Sequence, residues 1–390
     1  MVAVTRLTRD SVHQARMNSL PLLLAGTAAV AAAIHAASIA LTLRKLRERP
    51  VARSIHGTPP VTIVRPICGL DADAETTLRS TFHLDYPRYE ILFCVAQPND
   101  PVIPLVRDLI ARYPQADARL LVGDDAVSEN PKLNNCVKGW LAARHEWIVL
   151  SDSNVILPPD YLQRLLEVWD DETGLVCAPP VGAAPKNLPA EFECAFLNEY
   201  QARWQYFADA IGAGFAQGKS MLWRRELLDA NGGIVALGAE TAEDAASTKI
   251  VRNAGLSVRL ADSFFVQPLG FRAAREVWAR QVRWARLRRV SFPLCFALEI
   301  FSGGVWPALL IGLAAYLSGF PFWAGLVFAA LWYGAEAALA LRLGWHWTWR
   351  SPVLSLVRDL LLPVLWCEGW LGRDFRWRGN AMVAAPNSAG

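Results

Sequence analysis

The chain has 390 residues, 53% of them hydrophobic, with a mean hydropathy of +0.21 and a formal charge of +3. That balance is too apolar for an ordinary soluble enzyme and too polar for a carrier built of membrane spans alone, and it predicts one part in water and one in a bilayer. Seven scattered cysteines without a CxxC pair argue against a disulfide framework and a structural zinc site, and fit a reducing compartment.

Residues 1–19 form an N-terminal flank, and 20–43 are an uncharged, Ala- and Leu-rich run long enough to span a bilayer. A cleaved signal peptide is the competing reading, because Arg6, Arg9 and Arg16 precede the run. The run is longer than a usual signal core and reads as an anchor. Arg44, Lys45, Arg47, Arg49 and Arg53, in a basic linker over 44–58, place the domain beyond them in the cytoplasm by the positive-inside rule.

Over 59–268 strand and helix signals alternate, the pattern of an α/β sheet. Strands are predicted at 61–65 (ended by Pro66), 90–95, 119–122, 146–151 and 174–178, with a Gly-punctuated strand over 212–222. Helices are predicted over 74–82, from Pro101 with Asp100 as its N-cap, from the Asn130-Pro131-Lys132 turn to about 143, over 158–169, and over 224–230 with a stop at Asn231-Gly232-Gly233. Between 188 and 210, Phe192, Phe196, Tyr200, Trp204 and Phe207 fall on one helical face, either a packed core face or a wall facing an acceptor.

The run Trp147-Ile148-Val149-Leu150-Ser151-Asp152-Ser153-Asn154 reads as a strand buried on both faces that ends in an acidic turn. A carboxylate followed two residues later by an amide can hold a hard divalent cation through oxygen, leaving room for phosphate and water. Plain turn chemistry is the other reading of those residues. Glu240, Glu243 and Asp244 stand at i, i+3 and i+4, so they are expected to share a helical face near its N-terminus. They act there as dipole-compensating acids or supply a general base.

The stretch 269–290 is strongly basic, with Arg272, Arg275, Arg280, Arg283, Arg286, Arg288 and Arg289 interleaved with Trp278 and Trp284. It is expected to be an amphipathic helix at the cytoplasmic face of a membrane. Arg280, Arg283 and Trp284 share one face, where paired guanidinium groups suit phosphate. A nucleic-acid patch is the alternative, but the run leads directly into more apolar sequence, so no nucleic acid is expected and no obligate protein partner is inferred. Apolar spans lie next at 293–319 and 320–341, interrupted by Glu299 and Glu336, which need a partner or a function at that depth. A third run, 352–371, carries Arg358, Asp359 and Glu368 and either spans, lies in the interface or re-enters; Arg373, Arg376 and Arg378 in the tail 372–390 favour a non-crossing or re-entrant end.

In order, the chain carries Asp100-Pro101, Asn130-Pro131-Lys132-Leu133-Asn134-Asn135, Asp152-Ser153-Asn154, Ala242-Glu243-Asp244 and Arg280-Gln281-Val282-Arg283-Trp284. With these motifs it resembles the ceramide glucosyltransferases, inverting membrane glycosyltransferases with three separated Asp motifs and an RxxRW motif. Hopanoid-associated glycosyltransferases are close relatives. The similarity runs from about 61 to 284 and more loosely through the membrane tail. It implies a Rossmann-like glycosyltransferase-A domain with a mixed sheet, set between the anchor and the C-terminal membrane helices. The implied reaction is transfer of a hexose, glucose from UDP-glucose, to ceramide or another lipid alcohol with inversion to a β-glycoside. A bacterial inner membrane is the implied location.

By the same resemblance, Asp100 lies near the nucleotide base, Lys132 and Pro66 belong to the nucleotide-sugar-binding set, and Asp152 stands at the metal and diphosphate. Asp244 is the general base, and Arg280, Arg283 and Trp284 close over the diphosphate and the acceptor mouth. The cofactor implied is Mg2+ or Mn2+, held by Asp152 and weakly by Asn154, which stands where many relatives of the wider class have a second metal-binding Asp. Three other readings are transfer of N-acetylglucosamine to a hopanoid or other polycyclic lipid alcohol, a processive polysaccharide synthase, and a non-catalytic membrane scaffold.

Overall fold

The computed structural model describes residues 2–47, 57–71, 73–377 and 380–384. Arg49 and Arg53 with most of the basic linker, Arg378, and residues 385–390 of the tail lie outside them, as do the side chains of Arg6, Arg9, Arg16 and Arg376. In chain order the first elements are α1 (Val2–Lys45), β1 (Val61–Ile67), α2 (Ala74–Arg79), β2 (Tyr89–Val95), α3 (Ile103–Arg112), β3 (Ala118–Val122), α4 (Pro131–Ala142), β4 (Trp147–Ser151) and α5 (Tyr161–Leu166). Then come β5 (Thr173–Cys177), β6 (Pro180–Pro185), α6 (Leu188–Phe196), α7 (Arg203–Ala210), β7 (Ser220–Arg224), α8 (Arg225–Ala230), α9 (Glu243–Asn253), β8 (Ser257–Leu260) and β9 (Phe265–Gly270). The remainder is α10 (Ala274–Ser291), α11 (Pro293–Leu298), α12 (Val305–Leu317), α13 (Ala324–Leu343), α14 (Ser351–Leu371) and a hairpin of β10 (Asp374–Trp377) and β11 (Asn380–Val383).

Seven strands form one sheet in the order β3-β2-β1-β4-β7-β5-β8. Strands β1 to β4 are mutually parallel, whereas β7 runs antiparallel to both β4 and β5, so the sheet is mixed. The largely apolar strands β1, β2 and β4 are buried because helices cover both faces. Helix α4 packs Leu133, Cys136, Val137 and Trp140 on Val64, Leu92 and Leu150, while α2, α3 and α5 bury the opposite face against Ile63, Phe93 and Val149. The close approach of α4 uses Gly139, where an added Cβ would stand 2.4 Å from Val64 Cγ1.

Several expected boundaries move for definite reasons. Strand β1 continues through Pro66 to Ile67, because Val61 N–H points to β2 and the even positions therefore face β4, whose pairing stops at Val64. The missing N–H of Pro66 thus removes no ladder bond. Asp100 is not the N-cap of α3: the helix opens at Ile103, and the Asp100 carboxylate instead accepts from Val102 N at 2.9 Å. The helix expected over 158–169 shrinks to α5, and the strand expected over 212–222 is a loop as far as residue 219, with β7 beginning at Ser220. Glu240 does not share a face with Glu243 and Asp244, since it lies in extended backbone before α9 and hydrogen-bonds Ser291 at 3.0 Å. Two further strands, β6 and β9, pair in parallel as a small separate sheet.

The aromatic face is a core face. Phe192, Phe196, Tyr200 and Trp204 pack with Val282, Phe296, Leu362 and Leu365 from α10, α11 and α14. Between α6 and α7 the backbone widens into a π-helix, Leu197–Ala202, a local irregularity of the kind that accompanies special sites.

Among the described residues, two helical stretches, Ser19–Lys45 and Ala324–Leu343, are long and apolar enough to cross a membrane. The span expected over 293–319 is broken at Ser302-Gly303-Gly304, where α11 with its short continuation meets α12 at a bend of 44°; counted as one, this pair makes a third. The intramembrane acids are answered by arginines. Arg288 clasps Glu299 through Nε at 2.7 Å and Nη2 at 2.8 Å. Buried Arg358 meets Glu336 Oε2 at 3.1 Å and Asp359 Oδ1 at 2.7 Å, and Arg203 of α7 reaches Glu336 Oε1 at 3.4 Å. Lys45, one of the basic flanking residues of the anchor, is bound by Asp209 and Asp262 at 2.6 and 2.9 Å.

Candidate active site

The carboxyl ends of β1, β2 and β4 open on one edge of the sheet, the place where open α/β sheets bind ligands. The turn after β4 carries Asp152 and Asn154, and it is braced from behind. Arg65, fully buried on β1, donates from Nη2 to Asp152 O at 2.9 Å and Val155 O at 3.0 Å, and from Nη1 to Thr81 Oγ1 at 2.7 Å. Burial pulls this guanidinium down to about 10, with the charge of Asp152 opposing. An arginine inside the apolar run Val61–Ile67 was the sequence signal for this brace.

The antiparallel register of β7 on β4 pairs Ser220 with Ser151, and Asp152 N donates to Lys219 O at 3.0 Å one step further. That places Lys219 beside Asp152. Its Nζ donates to Asp152 Oδ2 at 2.7 Å and to Asn154 Oδ1 at 3.1 Å. Asp152 Oδ1 is held by a second ammonium, Lys132 Nζ, also at 2.7 Å. Burial alone would raise the Asp152 carboxyl, but Lys132 and Lys219 outweigh it and hold it well below the usual carboxylate range.

Lys132 comes from the first turn of α4, where Asn130 caps the helix by accepting from Lys132 N at 2.9 Å and Leu133 N at 3.2 Å, with Pro131 at the first helical position. Besides Asp152 it binds Gly218 O and Glu243 Oε1, the latter at 2.6 Å. Burial works against its charge, while Asp152 and Glu243 hold it well above the ordinary lysine value. Its three donors are therefore engaged within the protein. Glu243 is fixed from its other side by Asn130 Nδ2 at 2.7 Å.

Asp244 lies beside Glu243 in the first turn of α9. Its Oδ1 accepts from Ala245 N at 2.9 Å and its Oδ2 from Gly218 N at 3.3 Å. Burial and the adjacent Glu243 push its carboxyl up to about 6, against the pull of Lys132. Gly218 is the point where these groups meet: a Cβ there would lie 2.8 Å from Glu243 Oε1, 3.1 Å from Lys132 Nζ and 3.6 Å from Asp244 Oδ2. Gly218→Ala is therefore expected to cost about 1–3 kcal/mol in stability by overpacking, and to depress turnover more than donor affinity. Thermal unfolding and steady-state kinetics on the variant check both.

The structure thus brings together Lys132, Asp152, Asn154 and Asp244, and adds Lys219, Glu243, Gly218 and Arg65 to them. Asp100 stands on the neighbouring loop, where its Oδ2 accepts from Gly69 N at 2.9 Å and ties the turn after β2 to the turn after β1. Pro66 is buried in β1 directly before that turn. Arg280 is ion-paired with the fully buried Glu193 of α6, which also meets Arg272 Nε at 3.5 Å. Burial pulls the Lys219 ammonium down against the pull of Asp152, and the charges of Lys132 and Arg280 add to that lowering. Arg283 is half-buried, and Trp284 packs on Ala190, Cys194, Leu197 and Leu269.

A metal fits this donor set only in a particular way. The oxygens of Asp152 and Asn154 converge on a single cationic atom, Lys219 Nζ, so they define a cation position. One carboxylate and one amide are a sparse set, and among the described residues no group of three or more His, Cys, Asp or Glu is arranged to hold a metal. The site suits a hard ion that takes most of its ligands from phosphate oxygens and water.

The family model described as glycosyl transferase family 21 matches residues 25–389. Ceramide glucosyltransferase 3 of Caenorhabditis elegans is 24% identical over 401 residues, an alignment covering 96% of this chain and 87% of that protein. The ceramide glucosyltransferase of Komagataella phaffii is 34% identical over 208 residues, covering 47% of this chain and 40% of that protein. Among solved structures, the mannosyltransferase PcManGT from Pyrobaculum calidifontis, in complex with GDP-Man and Mn2+, matches with a TM-score of 0.51 at 19% identity, over 86% of this chain and 99% of that one. The likeness is one of fold, the glycosyltransferase-A fold.

Proposed function

For a chain that belongs to glycosyl transferase family 21, we propose single-step transfer of glucose from UDP-glucose to the hydroxyl of ceramide or a similar lipid alcohol, with inversion to a β-glycoside. The observation that carries this is a pair of carboxylates with opposite ionisation tendencies linked through Lys132 and Gly218: Lys132 Nζ bonds both Asp152 and Gly218 O, and Gly218 N donates to Asp244. Asp152 is held strongly anionic by two lysines, while Asp244 is pushed up to about 6. Carboxylates kept apart in this way can divide the work of binding a cation and moving a proton.

In this reading Asp244 takes the proton of the acceptor hydroxyl as its oxygen attacks the anomeric carbon. The bond from that carbon to the diphosphate oxygen breaks on the opposite face, and the electron pair leaves with UDP. Asp100, with the Gly69 turn, borders the nucleotide, and Lys132 fixes Asp152 and Glu243 in place. Arg280, Arg283 and Trp284 flank the mouth from α10. Asp152 and Asn154 would hold a divalent cation, Mg2+ or Mn2+, which when bound would supply charge neutralisation for the diphosphate. The apolar helices that pack on the catalytic sheet support an acceptor that arrives from the bilayer. Arg44, Lys45 and Arg47 after the anchor support a cytoplasmic site.

The full chain purified in detergent, given UDP-glucose, Mn2+ and ceramide, is expected to release UDP only when lipid is present and to yield a lipid heavier by one hexose. A product that carries N-acetylhexosamine on a polycyclic alcohol would reassign donor and acceptor, and a polymer would overturn single transfer. Mass spectrometry of the products distinguishes these.

A further inference from the structure

Lys219 enters none of the sequence motifs, yet its ammonium occupies the one point on which Asp152 Oδ2 and Asn154 Oδ1 converge, at 2.7 and 3.1 Å. Both oxygens are spoken for, and the other oxygen of Asp152 is taken by Lys132 at 2.7 Å. A divalent ion bound through the same oxygens and an ammonium at bonding distance from them exclude one another, by overlap and by like-charge repulsion. Lys132 is locked by three acceptors on three different segments, Gly218, Asp152 and Glu243. Lys219 has no such lock. Among the described residues its ammonium hydrogen-bonds only the Asp152–Asn154 turn, and it sits at the end of a loop, directly after Gly218. Four rotatable bonds let its head group leave without moving β7.

We propose that Lys219 is a positioning residue that serves as the resident counter-ion of the Asp152–Asn154 oxygens in the free enzyme. It yields that point to a divalent cation only when a nucleotide diphosphate arrives. The incoming anion supplies both the further oxygen ligands the metal needs and a new partner for the displaced ammonium. Metal and nucleotide therefore bind together, and the metal does not bind alone. The same positive charge gives Asp152 a second ammonium beside Lys132 between turnovers. This rests on the reading of Asp152 and Asn154 as the cation-binding residues, stated above.

Mn2+ binding to the full chain in detergent, read by the loss of the free-ion electron paramagnetic resonance signal, tests it without any sugar transfer. Wild type is expected to show no stoichiometric Mn2+ site in the absence of nucleotide and to gain one with UDP. Lys219→Met and Lys219→Gln are expected to bind Mn2+ without UDP at least about tenfold more tightly than wild type, with a smaller further gain on adding UDP. Two variants are used so that an unstable one leaves the other. A stoichiometric wild-type site without nucleotide, or equal nucleotide-free affinities in wild type and a folded variant, overturns the proposal. Either result leaves lipid glycosylation standing, because no acceptor is present. A chain that exchanges Lys219 for Mn2+ but transfers no sugar to any acceptor would instead sink the functional reading alone.

Discussion

Asp244→Asn is expected to lower kcat by about 10²–10⁴-fold, the usual contribution of a positioned general base, while UDP-glucose binds with little change. The amide keeps the size of the carboxylate and one of the two oxygens that accept from Ala245 N and Gly218 N, but cannot take a proton. The pH profile supplies an independent reading. A carboxyl raised to about 6 is ionised above that value and protonated below it, so the wild-type kcat/KM should fall as pH drops through about 6. The acid limb should vanish from the residual activity of the variant. Unchanged UDP release in Asp244→Asn, or an acid limb that survives the substitution, assigns the base elsewhere.

Asp152→Ala is expected to act on stability and activity together. It strips one carboxylate from two largely buried ammoniums, Lys132 and Lys219, whose side chains are 12% and 15% exposed. Removing one partner of a buried ionic group costs about 3–5 kcal/mol, seen as a lower thermal midpoint in detergent. Lys132 keeps Glu243, so the larger share of the loss falls on Lys219. Asp152→Asn retains an oxygen for one lysine and is expected to recover part of the midpoint but not the activity. If Asp152→Ala unfolds at the wild-type temperature and turns over normally, Asp152 is neither the hub of the site nor its cation ligand.

The alternation of strand and helix, the buried Trp147–Ser151 strand and the Asn130-Pro131 cap were legible because they depend on local chemistry: apolar runs, a capping amide and a ring that fixes φ. Their companions were not, since they arise from pairing across long separations. Lys219 stands next to Asp152 only because β7 returns antiparallel beside β4, which no window around Gly218-Lys219-Ser220 reveals. The glycines of that segment suggested a strand, whereas the site uses Gly218 for close approach. Arg280 offered phosphate-binding chemistry by type, but its ion pair with Glu193, 87 residues away, was not legible. Glu240 fits the helical spacing of its neighbours, yet α9 starts three residues later, at Glu243.

The arginine–carboxylate knot of Arg203, Glu336, Arg358 and Asp359 makes the catalytic unit inseparable from its apolar helices. Arg203 belongs to α7, against the catalytic sheet, and its acidic partner belongs to α13. Cutting the chain before α11 to obtain a water-soluble enzyme would strand a fully buried guanidinium without its carboxylate. It would also remove the apolar residues that cover Phe196 and Tyr200. The C-terminal helices are thus structural walls of the enzyme as well as its mooring, and shortened versions are expected to aggregate where the whole chain stays dispersed in detergent.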